Sequence, residues 1–237
     1  MVRDRQGELW LGLEGGGLAR FDGARFASYA TEAMLGSSAV VHILEDGEGN
    51  LWFAGDGDDG RGLGRLDQQR HLFRCYGQED GLIQDYVNDI ALDRRGRVCV
   101  ASAWGVSRFE AEQGQFAHFT VGDDMPGIVA NALALSRSGD LWVGPWFSQQ
   151  LVAWGGEGFR FHTCPFPARA FHHLLEDQSG RLWVAAWGWG TNQGTGLLWR
   201  FDGQRWERFS EEQGPEFDLK SDHYISPAPG GVACRWP

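Results

Sequence analysis

Short apolar runs alternate with turns that carry Asp and Gly along the whole chain. The runs are four to seven residues long and rich in Val, Leu, Phe and Trp, which is typical of β-strands. No segment shows the longer periodicity of an amphipathic helix of about ten residues. The pattern therefore predicts an all-β protein.

The strand-like runs form a repeat, which is visible from a glycine followed three residues later by Trp or Cys. These glycines lie 41 to 51 residues apart, and each period holds four strand-like runs. Four strands in about 40 to 45 residues is the period of a propeller blade. We therefore predict a β-propeller of four-stranded antiparallel blades. The aligned glycines are Gly7, Gly49, Gly96, Gly139, Gly180 and Gly231.

The repeats divide residues 1–237 into blades of a single propeller segment. Blade 1 covers 2–29 and lacks its first strand, strand A. The later blades cover 39–76, 86–119, 129–161 and 171–209, and a sixth begins at 222–237. This predicts an incomplete ring of about five blades and part of a sixth. In the alternative arrangement, residues 222–228 supply the missing strand of blade 1 and close a five-bladed ring.

The stretch "EDGEGNLWFAG" at 45–55 contains the repeated turn and raises a second interpretation. Asp46, Glu48 and Asn50 occupy alternating positions, as ligands do in a calcium loop. An EF-hand loop needs Gly at its sixth position and Glu at its twelfth, where this chain has Leu51 and Gly57. We interpret the motif as a hairpin between strands A and B, in which Asp initiates the turn and Gly supplies a positive φ. We predict no metal site and no cofactor.

Composition narrows the classes of function. The formal net charge of −11 disfavours binding to nucleic acid, because an acidic surface repels phosphate. The 12 tryptophans include one at the same register in four repeats, and we expect that register in the core between blades. The cysteines show no C-x-x-C pair and no metal-type spacing: Cys75, Cys99, Cys164 and Cys234.

The repeat resembles that of the two-component regulator propeller family, with the pattern V-x-x-I-x-x-D-x-x-G-x-L-W-x-G followed by G-L-x-R-F-D and F-x-x-Y. The resemblance covers nearly the whole chain. Cys99 and Cys234 depart from it at the Trp register, and the fourth repeat has Ser136 in place of Asp and Ala153 in place of Arg. The matching residues of the second repeat are Val40, Val41, Ile43, Asp46, Gly49, Leu51, Trp52, Gly62, Leu63 and Arg65.

This resemblance implies a sensor. Propellers of the family are usually seven-bladed, often occur in pairs, and typically precede a small β-sandwich, a membrane span and a histidine kinase. The resemblance therefore implies the periplasmic or extracellular input region of a two-component signalling receptor, with the kinase in a longer parent protein. It also implies a propeller–propeller homodimer. We expect this chain itself to bind a ligand and not to be an enzyme.

Polar residues recur on strand A, which lines the channel of a propeller, and aromatic residues recur in the loops that share the same mouth. Counting back seven residues from each aligned glycine also gives polar groups, among them His42 and Asp89. Indole faces beside amides and imidazoles suit a glycan or another small polar ligand, although these tryptophans would equally cap the apolar ends of blades. The candidate ligand-binding residues are Asn88, Asn131, His172, His223, Trp104, Trp146, Trp187 and Trp189.

Two other functions stay open at this point. The first is a propeller enzyme of the streptogramin-lyase type, with His172, His223 or Asp89 as an acid or base at the channel mouth. No nucleophile–base pair is evident in the sequence to support it. The second is a protein-interaction scaffold that binds no small ligand.

Overall fold

The computed structural model of the chain consists of antiparallel β-sheets joined by turns, which confirms the all-β prediction. It describes residues 1–13, 17–30, 39–55, 62–119, 129–156, 158–166, 168–188, 196–209, 224–228 and 231–235. The chain divides into two compact units, Met1–Asp123 and Asp124–Pro237. Within the described ranges, no helix is long and apolar enough to cross a membrane, and the helical element among the described residues is the short 3-10 helix Gln78–Asp80.

The first unit contains three four-stranded antiparallel sheets, here called blades 1 to 3, with strands A to D in chain order. Strand A of blade 1 has only two residues. Blade 1 comprises β1 (Val2–Arg3), β2 (Leu9–Leu13), β3 (Gly17–Phe21) and β4 (Phe26–Ala30). Blade 2 comprises β5 (Val40–Glu45), β6 (Leu51–Gly55), β7 (Leu63–Leu66) and β8 (Phe73–Tyr76). Blade 3 comprises β9 (Val87–Leu92), β10 (Val98–Ser102), β11 (Gly105–Glu110) and β12 (Gln115–Phe119).

The second unit contains blades 4 and 5, which are joined where Trp146 pairs with Ala170. Blade 4 comprises β13 (Val129–Leu135), β14 (Leu141–Trp146), β15 (Gln150–Trp154) and β16 (Phe159–Thr163). Blade 5 comprises β17 (Ala168–Glu176), β18 (Leu182–Gly188), β19 (Gly196–Phe201) and β20 (Trp206–Phe209). A further two-stranded sheet is formed by β21 (Tyr224–Ala228) and β22 (Gly231–Arg235).

The core lies between neighbouring blades, because a single sheet cannot bury both of its faces alone. Trp10 of blade 1 packs with Val40 and Phe53 of blade 2, and Trp52 of blade 2 packs with Phe109 of blade 3. Trp10 and Trp52 are fully buried. The prediction that the strand-B tryptophans form inter-blade core is confirmed for these blades.

Each repeated Asp ties its turn to this core. In blade 2 the Asp46 Oδ1 atom accepts hydrogen bonds from the backbone N–H groups of Glu48 and Asn50, both at 2.9 Å. The Asp46 Oδ2 atom accepts the indole N–H of Trp52 at 2.7 Å, and Gly49 closes the turn with φ of 86°. The carboxylate thus serves the hairpin and the buried indole together. The same indole bond joins Trp10 to Asp4 at 2.8 Å and Trp183 to Asp177 at 2.9 Å.

Two blades replace part of this arrangement. In blade 3, Cys99 occupies the Trp register, and Arg97 Nε donates to Asp93 Oδ2 at 2.8 Å, as Arg181 does to Asp177 in blade 5. In blade 4, the Ser136 hydroxyl accepts the backbone N–H of Asp140 at 2.9 Å and so maintains the turn. Serine brings no second carboxylate oxygen, so the indole bond of blades 1, 2 and 5 has no counterpart among the described residues of blade 4.

The glycine two residues beyond the strand-B Trp permits close packing of neighbouring blades. A Cβ atom added to Gly12 would lie 2.1 Å from the Val40 carbonyl oxygen of blade 2. A Cβ atom added to Gly144 would lie 2.6 Å from Cβ of Phe171 in blade 5. Glycine is therefore required at these two positions by space and not by backbone conformation.

Candidate functional site

Strand A carries a β-bulge at the same register in blades 2 to 5. In blade 3, Val87 pairs with Ser102 and Asp89 pairs with Ala101, so that Asn88 has no residue opposite it. The pairing shifts at the same place in the other three blades. The residues that the strand pairing skips at these bulges are Val41, Asn88, Asn131 and His172. Three of these four are candidate ligand-binding residues from the sequence.

The bulge explains how a polar register and a core register coexist two residues apart. Strict alternation would place Asn88 and Ile90 on the same face of the sheet. Ile90 is core, with 7% of its surface exposed, whereas Asn88 is half-buried. An extra residue in one strand re-aims the local side chains, and bulges of this kind are frequent beside binding sites. The described half-buried positions of Asn131 and His172 follow the same rule.

In the first unit, a histidine and an aspartate meet beside the bulges. His42 Nδ1 of blade 2 lies 3.0 Å from Asp89 Oδ1 of blade 3. Burial disfavours protonation of His42, but the charge and hydrogen bond of Asp89 outweigh it and raise the pKa of the imidazole above its usual value. The pair links two neighbouring A strands. The sequence placed both residues in one recurring register but gave no sign that they would be bonded to each other.

In the second unit, Asn131 links the A strands of blades 4 and 5. Its Nδ2 atom donates to the backbone carbonyl of Phe171 at 2.5 Å. His172 directly follows Phe171, so the amide and the imidazole belong to adjacent bulges. Asn131 thereby has a structural role as well as a place in the candidate site.

The tryptophans of the candidate site differ in their surroundings. Trp104 of the first unit is 67% exposed, as a ligand-stacking residue would be. Trp146 of the second unit is half-buried, and its ring meets the ring of Phe147 edge-on at 5.6 Å. The backbone of Trp187 lies in strand β18, whereas its side chain is outside the described structure. Trp189 and His223 also lie outside the described residues.

The eight candidate residues divide between the two units. Asn88 and Trp104 belong to the first unit, and the others belong to the second. Within the described residues, no group of three or more His, Cys, Asp or Glu side chains has an arrangement that would hold a metal ion. The described candidates therefore offer an amide and an indole in the first unit, and an amide, an imidazole and an indole in the second, which are groups that hydrogen-bond and stack against a neutral polar ligand.

Sequence comparison identifies the repeat. Residues 34–57 match the model of the two component regulator propeller family, and this segment contains strand A, the turn and strand B of blade 2. The resemblance inferred from the sequence is confirmed there. Among curated protein sequences, none matches the chain significantly.

Comparison with solved structures identifies the fold. A catalytically inactive virginiamycin B lyase from Staphylococcus aureus, crystallised with quinupristin, is similar with a TM-score of 0.76 and 17% identity, over 99% of this chain and 75% of that one. The extracellular domain of a protein described as a hybrid two-component system from B. thetaiotaomicron gives 0.63 and 18%, over 95% and 36% of the two chains. PorZ of Porphyromonas gingivalis gives 0.64 and 19%, over 92% and 34%.

This chain thus spans about a third of the length of the last two proteins. Similarity at these identities establishes architecture only. Together with the repeated four-stranded sheets, it identifies the fold. The chain is a β-propeller whose residues 34–57 carry the two-component regulator propeller repeat.

Proposed function

We propose that this propeller is the ligand-sensing input region of a two-component signalling protein. The observation that carries the proposal is the strand-A bulge, which recurs in blades 2 to 5 and bears Asn88, Asn131 and His172 in three of them. Bulges of this kind are frequent beside binding sites, and three of these four carry a polar side chain. The matched repeat and the likeness to an extracellular domain of a two-component system support the sensor role.

The ligand is a glycan or another small polar molecule. Amide and imidazole groups hydrogen-bond hydroxyl groups, and an exposed indole such as Trp104 stacks on the flat apolar face of a sugar ring. Ligand binding contacts the A strands. The parent protein continues into a membrane span and a kinase. The propeller lies in the periplasm or outside the cell, and two propellers pair as a homodimer.

A calorimetric screen of the whole chain against a panel of glycans tests this function. A hit should weaken about tenfold or more with Asn88→Ala, since a lost hydrogen bond to a buried polar ligand costs on the order of 1–3 kcal/mol. Val41→Ala is the matched control, because Val41 is the bulge residue of blade 2 but brings no polar group. No binding across the panel, or equal losses in both variants, would count against the sensor role.

A second function, that of a lyase, is favoured by the pair of His42 and Asp89. A carboxylate that accepts from one imidazole nitrogen orients the ring and strengthens the other nitrogen as a general base. The fold is also similar to that of virginiamycin B lyase. Mass spectrometry of quinupristin incubated with the chain tests this function. Conversion that is lost in His42→Gln would support a lyase, and intact quinupristin would exclude this substrate.

A further inference from the structure

A guanidinium group covers the strand-B tryptophan wherever the repeat is intact. In blades 2 and 5 this arginine lies on strand C, directly opposite the Trp of strand B. In blade 1 it reaches over from the neighbouring blade. The pairs are Arg70 over Trp10, Arg65 over Trp52 and Arg200 over Trp183, each with the guanidinium carbon 5.5 Å from the ring centroid. This distance is that of a cation–π interaction.

Blade 4 keeps the tryptophan and replaces its surroundings. Trp142 pairs across the strands with Ala153, where the other blades have Arg. Ser136 occupies the position at which blades 1, 2 and 5 have the Asp that accepts the indole N–H. His162 pairs with Leu151 at the register that Tyr76 and Phe209 hold in blades 2 and 5. Trp142 is half-buried, and in the described part of the chain neither a carboxylate nor a guanidinium partners its indole.

A cleft of about 300 Å³ opens at this tryptophan, between the turn ends of blades 4 and 5. The rings of Trp142, His162 and Phe201 form its aromatic wall, with Trp142 and His162 5.0 Å apart. This end of the strands lies opposite the end that bears the bulges, because Glu176 at the last residue of β17 lines the cleft and His172 lies earlier in that strand. The cleft is therefore separate from the candidate sensor site.

The charged groups of the cleft leave an excess of negative charge. Three carboxylates line it, from Asp140, Glu176 and Asp202, against the single cation Arg160. Arg160 already pairs with Asp140 at 2.6 Å. Burial and the nearby Arg160 lower the pKa of His162, which keeps this imidazole neutral at pH 7. A half-buried indole that has no cation of its own, beside an excess of carboxylates, is an environment that organic cations prefer.

We propose that this cleft binds a small guanidinium compound. Its guanidinium lies on the face of Trp142, where the other blades place an arginine of their own, and the carboxylate of Glu176 balances its charge. Glu176 is suited to this because its Oε2 atom accepts the backbone N–H of Arg137, which holds the side chain at the cleft. The blades with the full motif supply this cation from an arginine of the chain, whereas blade 4 takes it from the bound compound.

The test is an isothermal titration of the whole chain with L-arginine and with L-citrulline, its neutral isostere. Arginine should bind and citrulline should bind about tenfold or more weakly, because only the charged group gains the cation–π and carboxylate interactions. A blocked tripeptide with a central arginine distinguishes a free metabolite from an arginine of a partner protein. Equal binding of arginine and citrulline, or binding of neither, would overturn the proposal.

Two variants locate the site. Ala153→Arg restores the residue of the other blades, so it should place a guanidinium over Trp142 and weaken arginine binding about tenfold or more while the fold is retained. Glu176→Gln should weaken binding while still accepting the Arg137 N–H. Its matched control is Glu45→Gln in blade 2, where Glu45 accepts the backbone N–H of Arg5 at 2.9 Å in the same way. Unchanged arginine binding in Ala153→Arg would place the site elsewhere and refute the assignment.

The titration also separates this proposal from the proposed sensor function. Asn88→Ala, which should weaken glycan binding, should leave arginine binding unchanged. If glycans bind and arginine does not, only the cleft proposal fails. If arginine binds and no glycan does, only the sensor proposal fails.

Discussion

Trp10 and Trp142 occupy the same register in two blades, and their surroundings differ in almost every contact. Trp10 is fully buried, donates to Asp4 and lies under Arg70, whose own guanidinium pairs with Asp4 at 3.0 Å. Trp142 is half-buried beside a cleft and has serine and alanine at the corresponding positions. The repeats can thus be compared with one another: where the motif is intact the charges pair, and in blade 4 three carboxylates and one arginine line an open cleft.

The largest difference in stability should appear between a variant that lacks the arginine beside Trp10 and one that lacks the arginine beside Trp142. Arg70→Ala leaves Asp4 buried without its cation, which should lower the free energy of unfolding by about 3 kcal/mol. Arg160→Ala in blade 4 removes a side chain that is 57% exposed, so its loss should cost less than about 1 kcal/mol. Urea denaturation of the two variants measures both. Similar losses of unfolding free energy would mean that the two arginines contribute equally to stability.

A smaller contrast should separate the turn residues of blades 5 and 4. Asp177 accepts from Ser179, from Arg181 and from the buried indole of Trp183, so Asp177→Ala should destabilise the chain by about 2 kcal/mol. Ser136→Ala loses the hydrogen bond from Asp140 but no indole bond, and should cost about 1 kcal/mol. Denaturation of both variants checks the order, and a reversal would show that the Asp–Trp bond is not what stabilises an intact blade.

The pH dependence of the chain's stability should reflect the carboxylate of Asp177. Burial disfavours the ionised form of Asp177, but hydrogen bonds from Ser179 and Trp183 outweigh it and lower the pKa well below the usual 3.8. Ionised Asp177 therefore stabilises the folded chain above pH 3.8, and this contribution is lost as the pH falls toward the lower pKa of the folded state. The stability difference between wild type and Asp177→Ala should thus shrink between pH 5 and pH 2 in an acid titration followed by circular dichroism. A difference that stayed constant would contradict the depressed pKa.

The smallest effect should come from restoring the motif in blade 4. Ala153→Arg places a guanidinium over Trp142, as in the other blades, and should raise the free energy of unfolding by about 0.5 kcal/mol in the absence of ligand. Thermal denaturation in arginine-free buffer measures it, with Ala153→Leu as a neutral control of similar bulk. A gain equal to that of the leucine variant would show that only volume, and not charge, is missing at Trp142.

Much of the fold could be predicted from the sequence, because each blade repeats its turn chemistry and its apolar register. The glycines of the A–B turns have the positive φ expected of them, at Gly7, Gly49, Gly96, Gly139 and Gly180. The sequence also predicts a polar register on strand A. It does not predict the geometry of that register, since alternation counted along a strand cannot reveal a bulge, which is defined by the partner strand.

The sequence by itself determined the strands, the blade period and the departures of the fourth repeat, since all of these are local and recur along the chain. The tertiary structure decided which side chains meet across blades: His42 with Asp89, Arg70 with Trp10, and the uncovered Trp142 with the carboxylates of its cleft. The physical reason is that a strand fixes the direction of its own side chains, whereas burial, charge pairing and open space depend on the neighbouring sheet.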